Sequence, residues 1–122
     1  MSYEDMELYK LAKRMAVEVH QMTLEDLPKF ELYEQGSQVR RSSKSIVATF
    51  VEGYGRHRYP AEYIKFLTYA IASCDETKVH LELLHETRSL TEPRFQHLYA
   101  AYRKIGGMLY NLRQAVISGK AT

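Results

Sequence analysis

One segment of the chain, residues 60–87, constrains the fold more than any other. Pro60 stands where a helix can begin, a position at which the missing N–H of proline costs nothing. Apolar and small side chains then recur in alternating steps of four and three residues. This period of 3.5 is typical of a helix that packs along its whole length against other helices. The stripe consists of Tyr63, Leu67, Ala70, Cys74, Thr77, Leu81 and Leu84. The segment therefore predicts a long helix with one buried side.

Helical periodicity also runs through the rest of the 122 residues. Apolar side chains at three- and four-residue steps predict further helices at about residues 5–24, 36–54 and 92–118. The connections are short, apart from residues 24–35, and short connections favour antiparallel neighbours. No segment shows the alternating pattern of a strand. We therefore predict an all-α protein, with a single domain over residues 1–122 folded as an up-down antiparallel four-helix bundle.

Two glycines, Gly53 and Gly55, stand at the predicted end of the second helix. Helices commonly end in a residue with left-handed backbone angles, which glycine adopts at the least cost. The same run resembles a phosphate-binding glycine loop only faintly, because it follows a helix and not a strand. The pair therefore predicts a glycine-dependent helix stop.

The sequence lacks the patterns that catalysis and cofactor binding require. A di-iron site in a helical bundle needs two Glu-x-x-His pairs and two further Glu residues, whereas this chain has one such pair, Glu82 and His85. Cys74 falls within the apolar stripe, where a buried and unreactive thiol is expected. We therefore predict that the protein is not an enzyme and takes no metal, no organic cofactor and no small-molecule substrate.

The sequence also predicts a cytoplasmic protein without a membrane segment. No run of 18 apolar residues occurs, and the N-terminal residues are too acidic for a signal peptide. A single cysteine cannot form an internal disulfide, which fits a reducing compartment.

Positive charge is concentrated in two segments of a chain whose formal net charge is only +2. Residues 31–59 hold five Lys or Arg against three Asp or Glu, and residues 92–122 hold five against one. Basic side chains of the second helix and of the turn after it are the candidate contacts to a phosphate backbone or a partner. They are Arg40, Arg41, Lys44, Arg56 and Arg58. The alternative is a solvated basic surface, or structural pairing with Glu52, Glu62 and Glu76.

Ala48 and Val51 lie away from the arc of the second helix that carries its core residues. Small residues, among them Ser42, Ser45 and Gly53, stand nearby in the sequence. A second apolar side has no use in a monomeric bundle, but it suits helix packing between subunits. We therefore predict a homo-oligomer with Ala48 and Val51 at its interface.

The segments 37–46 (SQVRRSSKSI), 51–56 (VEGYGR) and 62–70 (EYIKFLTYA) resemble the four-helix-bundle proteins encoded in 23S rRNA intervening sequences. The resemblance extends over nearly the whole chain. It implies a bacterial, cytoplasmic bundle that assembles as a ring, typically a pentamer. Related accessory proteins of diversity-generating retroelements bind a reverse transcriptase and nucleic acid. The positions that match the family pattern are Arg40, Arg41, Glu52, Gly53, Gly55, Arg56, Ser73 and Glu76.

Two functions remain open at this point. The first is a noncatalytic, ring-forming adaptor that binds RNA, DNA or a protein acting on nucleic acid through basic surface of the second and fourth helices. The second is a protein–protein assembly module without nucleic-acid contact, in which the Arg and Glu positions hold helices and subunits together. Exposure of the basic side chains favours the first function, and their pairing with Glu52, Glu62 and Glu76 favours the second.

Overall fold

The computed structural model describes residues 2–121, and within that range it is helical with no strand. Residues 1 and 122 of the predicted domain lie outside this description. Two short 3-10 helices, Tyr3–Asp5 and Lys29–Tyr33, precede the first and second long helices. The long helices are α1 (Glu7–Glu25), α2 (Gln35–Tyr54), α3 (Pro60–Glu86) and α4 (Glu92–Ile117). The prediction of an all-α four-helix bundle is confirmed.

The four helices pack in cyclic order. α1 packs against α2, α2 against α3, α3 against α4, and α4 returns to α1. The α2–α3 pair is the most extensive and the α1–α4 pair the least. α2 and α4 are therefore diagonal, with α1 between them on one side and α3 on the other. The exposed surfaces of α2 and α4 consequently belong to different sides of the protomer.

The predicted stripe of α3 forms the centre of the core. All seven of its residues are buried, from Tyr63 at one end to Leu84 at the other. α4 contributes a matching row that includes Leu98, Tyr102 and Ile105. Full burial of one such apolar side chain is worth about 1.5–3 kcal/mol. This apolar row, rather than intrinsic helix propensity, holds the long helices together.

The predicted helix stop is confirmed, because α2 ends at Tyr54 with Gly55 as its C-cap residue, but the expected left-handed backbone is wrong. Gly55 has right-handed angles, φ −61° and ψ −16°, and the chain leaves α2 through successive turns instead. Among the described residues with positive φ, the non-glycine one is Arg88, just after α3. Gly53 is required for space: a Cβ there would lie 2.8 Å from Phe66 Cβ on α3. Glycine at 53 therefore allows the close approach of α2 to α3.

Candidate functional site

Arg40 points into the bundle end and ties three elements together. Its Nη1 donates to Thr23 Oγ1 of α1 at 2.9 Å, and its Nη2 donates to the Leu32 carbonyl of the second 3-10 helix at 2.7 Å. The side chain is half-buried. Arg40 is thus a structural residue, but its partners are Thr23 and Leu32 rather than the carboxylates expected from the sequence.

Arg56 lies against the outside of α3. Its Nε is 3.9 Å from Glu62 Oε1, its Nη1 donates to the Glu52 carbonyl at 2.8 Å, and its guanidinium stacks 4.5 Å from the centre of the Phe66 ring. Exposed ion pairs contribute little to stability, about 0–1 kcal/mol, and a cation–π contact adds a similar amount. Arg56 therefore holds the turn after α2 against α3. Its ion pair with Glu62 is one of the structural pairings considered from the sequence.

Arg41, Lys44 and Arg58 are the candidate basic residues that stay free. All three are exposed, and none forms a hydrogen bond or ion pair with another residue in the range 2–121. Arg41 and Lys44 lie about one helical turn apart on α2. Arg58 lies four residues beyond Tyr54, the last residue of that helix, which is itself about 15 Å along the axis from Lys44. The three free charges therefore do not form one cluster.

The signature positions Ser73 and Glu76 belong to a polar seam between α2 and α3. Ser73 Oγ is 3.0 Å from Ser45 Oγ, and Glu76 Oε2 is 3.0 Å from His80 Nε2. One turn beyond Ser73, Thr77 Oγ1 donates to Ser42 Oγ at 2.8 Å. These short side chains satisfy one another's hydrogen-bonding groups between the two helices. The sequence analysis did not predict the buried Ser42–Thr77 pair.

An apolar groove of about 420 Å³ runs between α1 and α2, on the side predicted to be free for packing. We call it the α1–α2 groove, and its residues include Lys13, Val17, His20, Lys44, Val47 and Ala48. Ala48 is exposed there, as the helical arc predicted. Val47 and Val51 are both half-buried and pack against the core, but Val47 lines the groove and Val51 does not. The contribution of α1 was missed, although Val17 stands outside the core arc of that helix.

A second concavity, of about 430 Å³, lies where the second 3-10 helix meets α2 and α3. We call it the acidic pocket, and its residues include Phe30, Glu31, Glu34, Gln35, Leu83 and Ser89. Glu31 is 6% exposed, and its carboxylate accepts hydrogen bonds from Ser89 Oγ at 2.7 Å and from the backbone N–H of Gln35 at 3.4 Å. Glu34 is exposed, and its carboxylate has no partner among the described side chains. The sequence carries no periodic signal for this pocket.

The groups considered for metal or redox chemistry have other partners. Glu82 accepts a hydrogen bond from the Tyr99 hydroxyl at 2.7 Å, while His85 contacts Glu92 and stacks on Phe95. Within residues 2–121, no three His, Cys, Asp or Glu side chains come together as a metal site. Cys74 is fully buried, as predicted, and burial raises the pKa of its thiol to about 11. A neutral buried thiol is a poor nucleophile.

The basic residues of α4 are separate from those of α2. Arg94 forms an ion pair with Asp26, and Arg113 donates to Thr68, whereas Arg103 and Lys104 are exposed without described partners. Because α2 and α4 are diagonal, their free charges lie on different sides of one protomer. No described helix has the length and apolar composition needed to cross a bilayer.

Comparisons with known proteins agree with the fold. The family model of the 23S rRNA-intervening sequence protein matches residues 4–111. A crystal structure of a protein with unknown function from the S23 ribosomal protein family of Bacteroides thetaiotaomicron is 20% identical, with a TM-score of 0.79. That match covers 88% of this chain and 95% of the other. No curated protein sequence matches the chain. Neither the family description nor the solved structure names a reaction.

Proposed function

We infer, from the premise that the chain belongs to the 23S rRNA-intervening sequence protein family, that it is a noncatalytic, ring-forming adaptor for nucleic acid. The partner is RNA or DNA, or a protein that works on nucleic acid, such as a reverse transcriptase. The proposed ring is a pentamer, in line with the family resemblance. The proposed setting is the cytoplasm, a reducing compartment in which a single free cysteine such as Cys74 is common.

One observation carries the nucleic-acid part of the proposal: Arg41, Lys44 and Arg58 are exposed and uncommitted. A guanidinium or ammonium that has no internal partner can replace a counterion on a phosphate backbone. Arg103 and Lys104 on α4 offer a second basic surface. A ring repeats these few charges around its circumference, which compensates for a net charge of only +2 per chain.

The test is fluorescence anisotropy with a labelled single-stranded RNA, from about 50 to 200 mM salt. We expect weak, sequence-independent binding that falls as salt rises. Replacing Arg41 and Arg58 with Ala should lower the slope of log affinity against log salt by about 0.7 for each lost phosphate contact on a single strand. Lys44→Ala is measured separately, because Lys44 also borders the α1–α2 groove.

The matched control removes two exposed charges elsewhere, Lys29 and Lys65, by substitution with Ala. This control should bind RNA like the wild type if Arg41, Lys44 and Arg58 are the contact. Light scattering on every variant separates lost binding from lost assembly. An intact wild-type oligomer that binds no RNA at low salt rejects direct nucleic-acid contact.

The second candidate function is an assembly module without nucleic-acid contact. It is favoured by the internal contacts of Arg40 and Arg56, two of the five basic residues singled out from the sequence. In that case the family pattern records how helices pack rather than what the protein binds. The same anisotropy measurement decides between the two functions.

A further inference from the structure

We propose that copies of this chain associate head to tail, with the acidic pocket of one copy docked on the α1–α2 groove of the next. This rests on the self-assembly part of the proposed function and names the two surfaces that meet. It assigns a role to the acidic pocket, which neither the family match nor the nucleic-acid proposal uses.

The α1–α2 groove is apolar inside and basic at its edges. Val17 on α1 is 55% exposed, and with Val47 and Ala48 it leaves apolar surface open to water. Lys13 and Lys44 stand on its two sides, one from each helix. No carboxylate lines this groove in the described part of the chain. An apolar strip with a lysine on each side suits a partner that is apolar and acidic.

The acidic pocket has the complementary composition. Phe30 is 69% exposed and Leu83 is 44% exposed, so both present apolar surface to solvent. Glu34 stands exposed beside them, and Glu31 lies buried at the base. No Lys, Arg or His from residues 2–121 lines the pocket.

Like charge argues against the symmetric alternative, in which two grooves pack on each other. That arrangement would bring Lys13 and Lys44 of both copies together with no carboxylate in the groove to separate them. Like charges that face each other across an interface oppose association. Docking the acidic pocket instead places Glu34 opposite Lys44 and apolar Phe30 and Leu83 against the groove.

The positions of the two surfaces determine how successive copies are turned. The groove lies on the α1–α2 side of the bundle, and the pocket lies at one end of the neighbouring α2–α3 side. A head-to-tail interface repeats one rotation from copy to copy, and it forms a ring when that rotation closes. Surfaces on adjacent sides turn each copy relative to the last, whereas surfaces on opposite sides extend a straight filament.

Blocking each surface separately provides the test. Ala48→Arg places a long cation in the groove, and Leu83→Arg places one in the pocket. We expect each variant alone to be a monomer of about 14.2 kDa by light scattering, while the wild type is a larger oligomer. An equimolar mixture should form a dimer of twice that mass, because one intact groove and one intact pocket remain. Ile117→Arg, at the exposed end of α4, is the control and should assemble like the wild type.

Charge reversal gives a second test at exposed positions, where misfolding is not expected. Lys44→Glu and Glu34→Lys should each weaken assembly about tenfold or more, and the double variant should recover it because the pair is restored in reverse. Circular dichroism checks that all variants are folded.

Each outcome is decisive. If Leu83→Arg assembles like the wild type while Ala48→Arg does not, the head-to-tail interface is refuted and the ring-forming adaptor survives. A mixture of the blocked variants that stays monomeric refutes it as well. A wild-type protein that is monomeric at micromolar concentration refutes the proposed assembly itself.

Discussion

Gly53→Ala is the substitution whose effect on stability follows most directly from the structure. The added methyl carbon would lie 2.8 Å from Phe66 Cβ, well inside the normal contact distance of two carbon atoms. The obstacle is the first side-chain atom of Phe66, which moves only if the backbone of α3 moves. Rotating the aromatic ring does not relieve the overlap. The α2–α3 pair must therefore separate at this point.

The expected magnitude follows from opposing effects. Overpacking in a close helix contact costs about 1–3 kcal/mol. Replacing a helical glycine with alanine stabilises the helix by at most about 1 kcal/mol, and by less near a helix end such as this one. Displacing Phe66 also weakens its contact with Arg56, worth about 0.5–1 kcal/mol. The overlap outweighs the propensity gain, and we expect a net loss of about 1–2 kcal/mol in the free energy of unfolding.

Urea denaturation followed by circular dichroism measures this difference, and Gly107→Ala is the matched control. Gly107 lies inside α4, and a Cβ there would meet nothing within 4 Å. The same chemical change should therefore stabilise the protein by about 0.5–1 kcal/mol at position 107. The two substitutions are predicted to have opposite signs.

A Gly53→Ala variant as stable as the wild type would refute the steric reasoning. Phe66→Ala combined with Gly53→Ala sharpens the test, because alanine keeps the obstructing Cβ. The double variant should be less stable than Phe66→Ala alone, by about the same 1–2 kcal/mol. Equal stability of these two variants would mean that the ring, rather than the backbone approach, was the obstacle.

Three further predictions follow from individual side chains. Arg40→Ala should lower the free energy of unfolding by about 1.5–3 kcal/mol, because two charged hydrogen bonds are lost. Arg41→Ala should change it by less than about 0.5 kcal/mol. Urea titrations of both variants measure the difference. Burial raises the pKa of Tyr63 to about 12, so the unfolded chain releases this proton at a lower pH than the folded chain. The free energy of unfolding should therefore fall as the pH rises from about 10 to 12. In thermal melts over that range, the stability of Tyr63→Phe should fall less steeply than that of the wild type. The Cys74 thiol should resist a thiol reagent at pH 8 in the native protein and react in urea, and equal rates in the two states would contradict its burial.

The fold was predictable from the sequence because one physical effect dominates it. The stripe from Tyr63 to Leu84 has no polar interruption beyond Thr77, and periodicity alone indicates which side of α3 is buried. The position where α2 ends was predicted as well, but the backbone conformation there was not. From the local sequence alone, Gly53 and Gly55 suggest a left-handed backbone. Gly53 is instead needed because Phe66, on a different helix, leaves no room for a Cβ at position 53.

The sequence indicated some of the residues exposed at the candidate site, but not the contacts that they make. Helical spacing identified Ala48 as lying outside the core, since that depends on one helix. The partners of Arg40 depend on where α1 ends and how the second 3-10 helix turns, and neither has a periodic signature. The acidic pocket was missed for the same reason, because its residues come from three elements that meet at the end of the bundle. Nucleic-acid binding and the oligomeric ring remain predictions.

The different positions of Arg40 and Arg41 have a consequence for evolution. Neighbouring residues of a helix point about 100° apart, so Arg40 is tied into the fold while Arg41 faces outward. Selection on folding therefore acts at position 40, whereas under the proposed function the partner constrains position 41. We expect a lineage that changes its partner to drift at Arg41 while Arg40 stays fixed. Substitution at Arg40 should appear only together with a change at Thr23 or in the 3-10 segment that it binds.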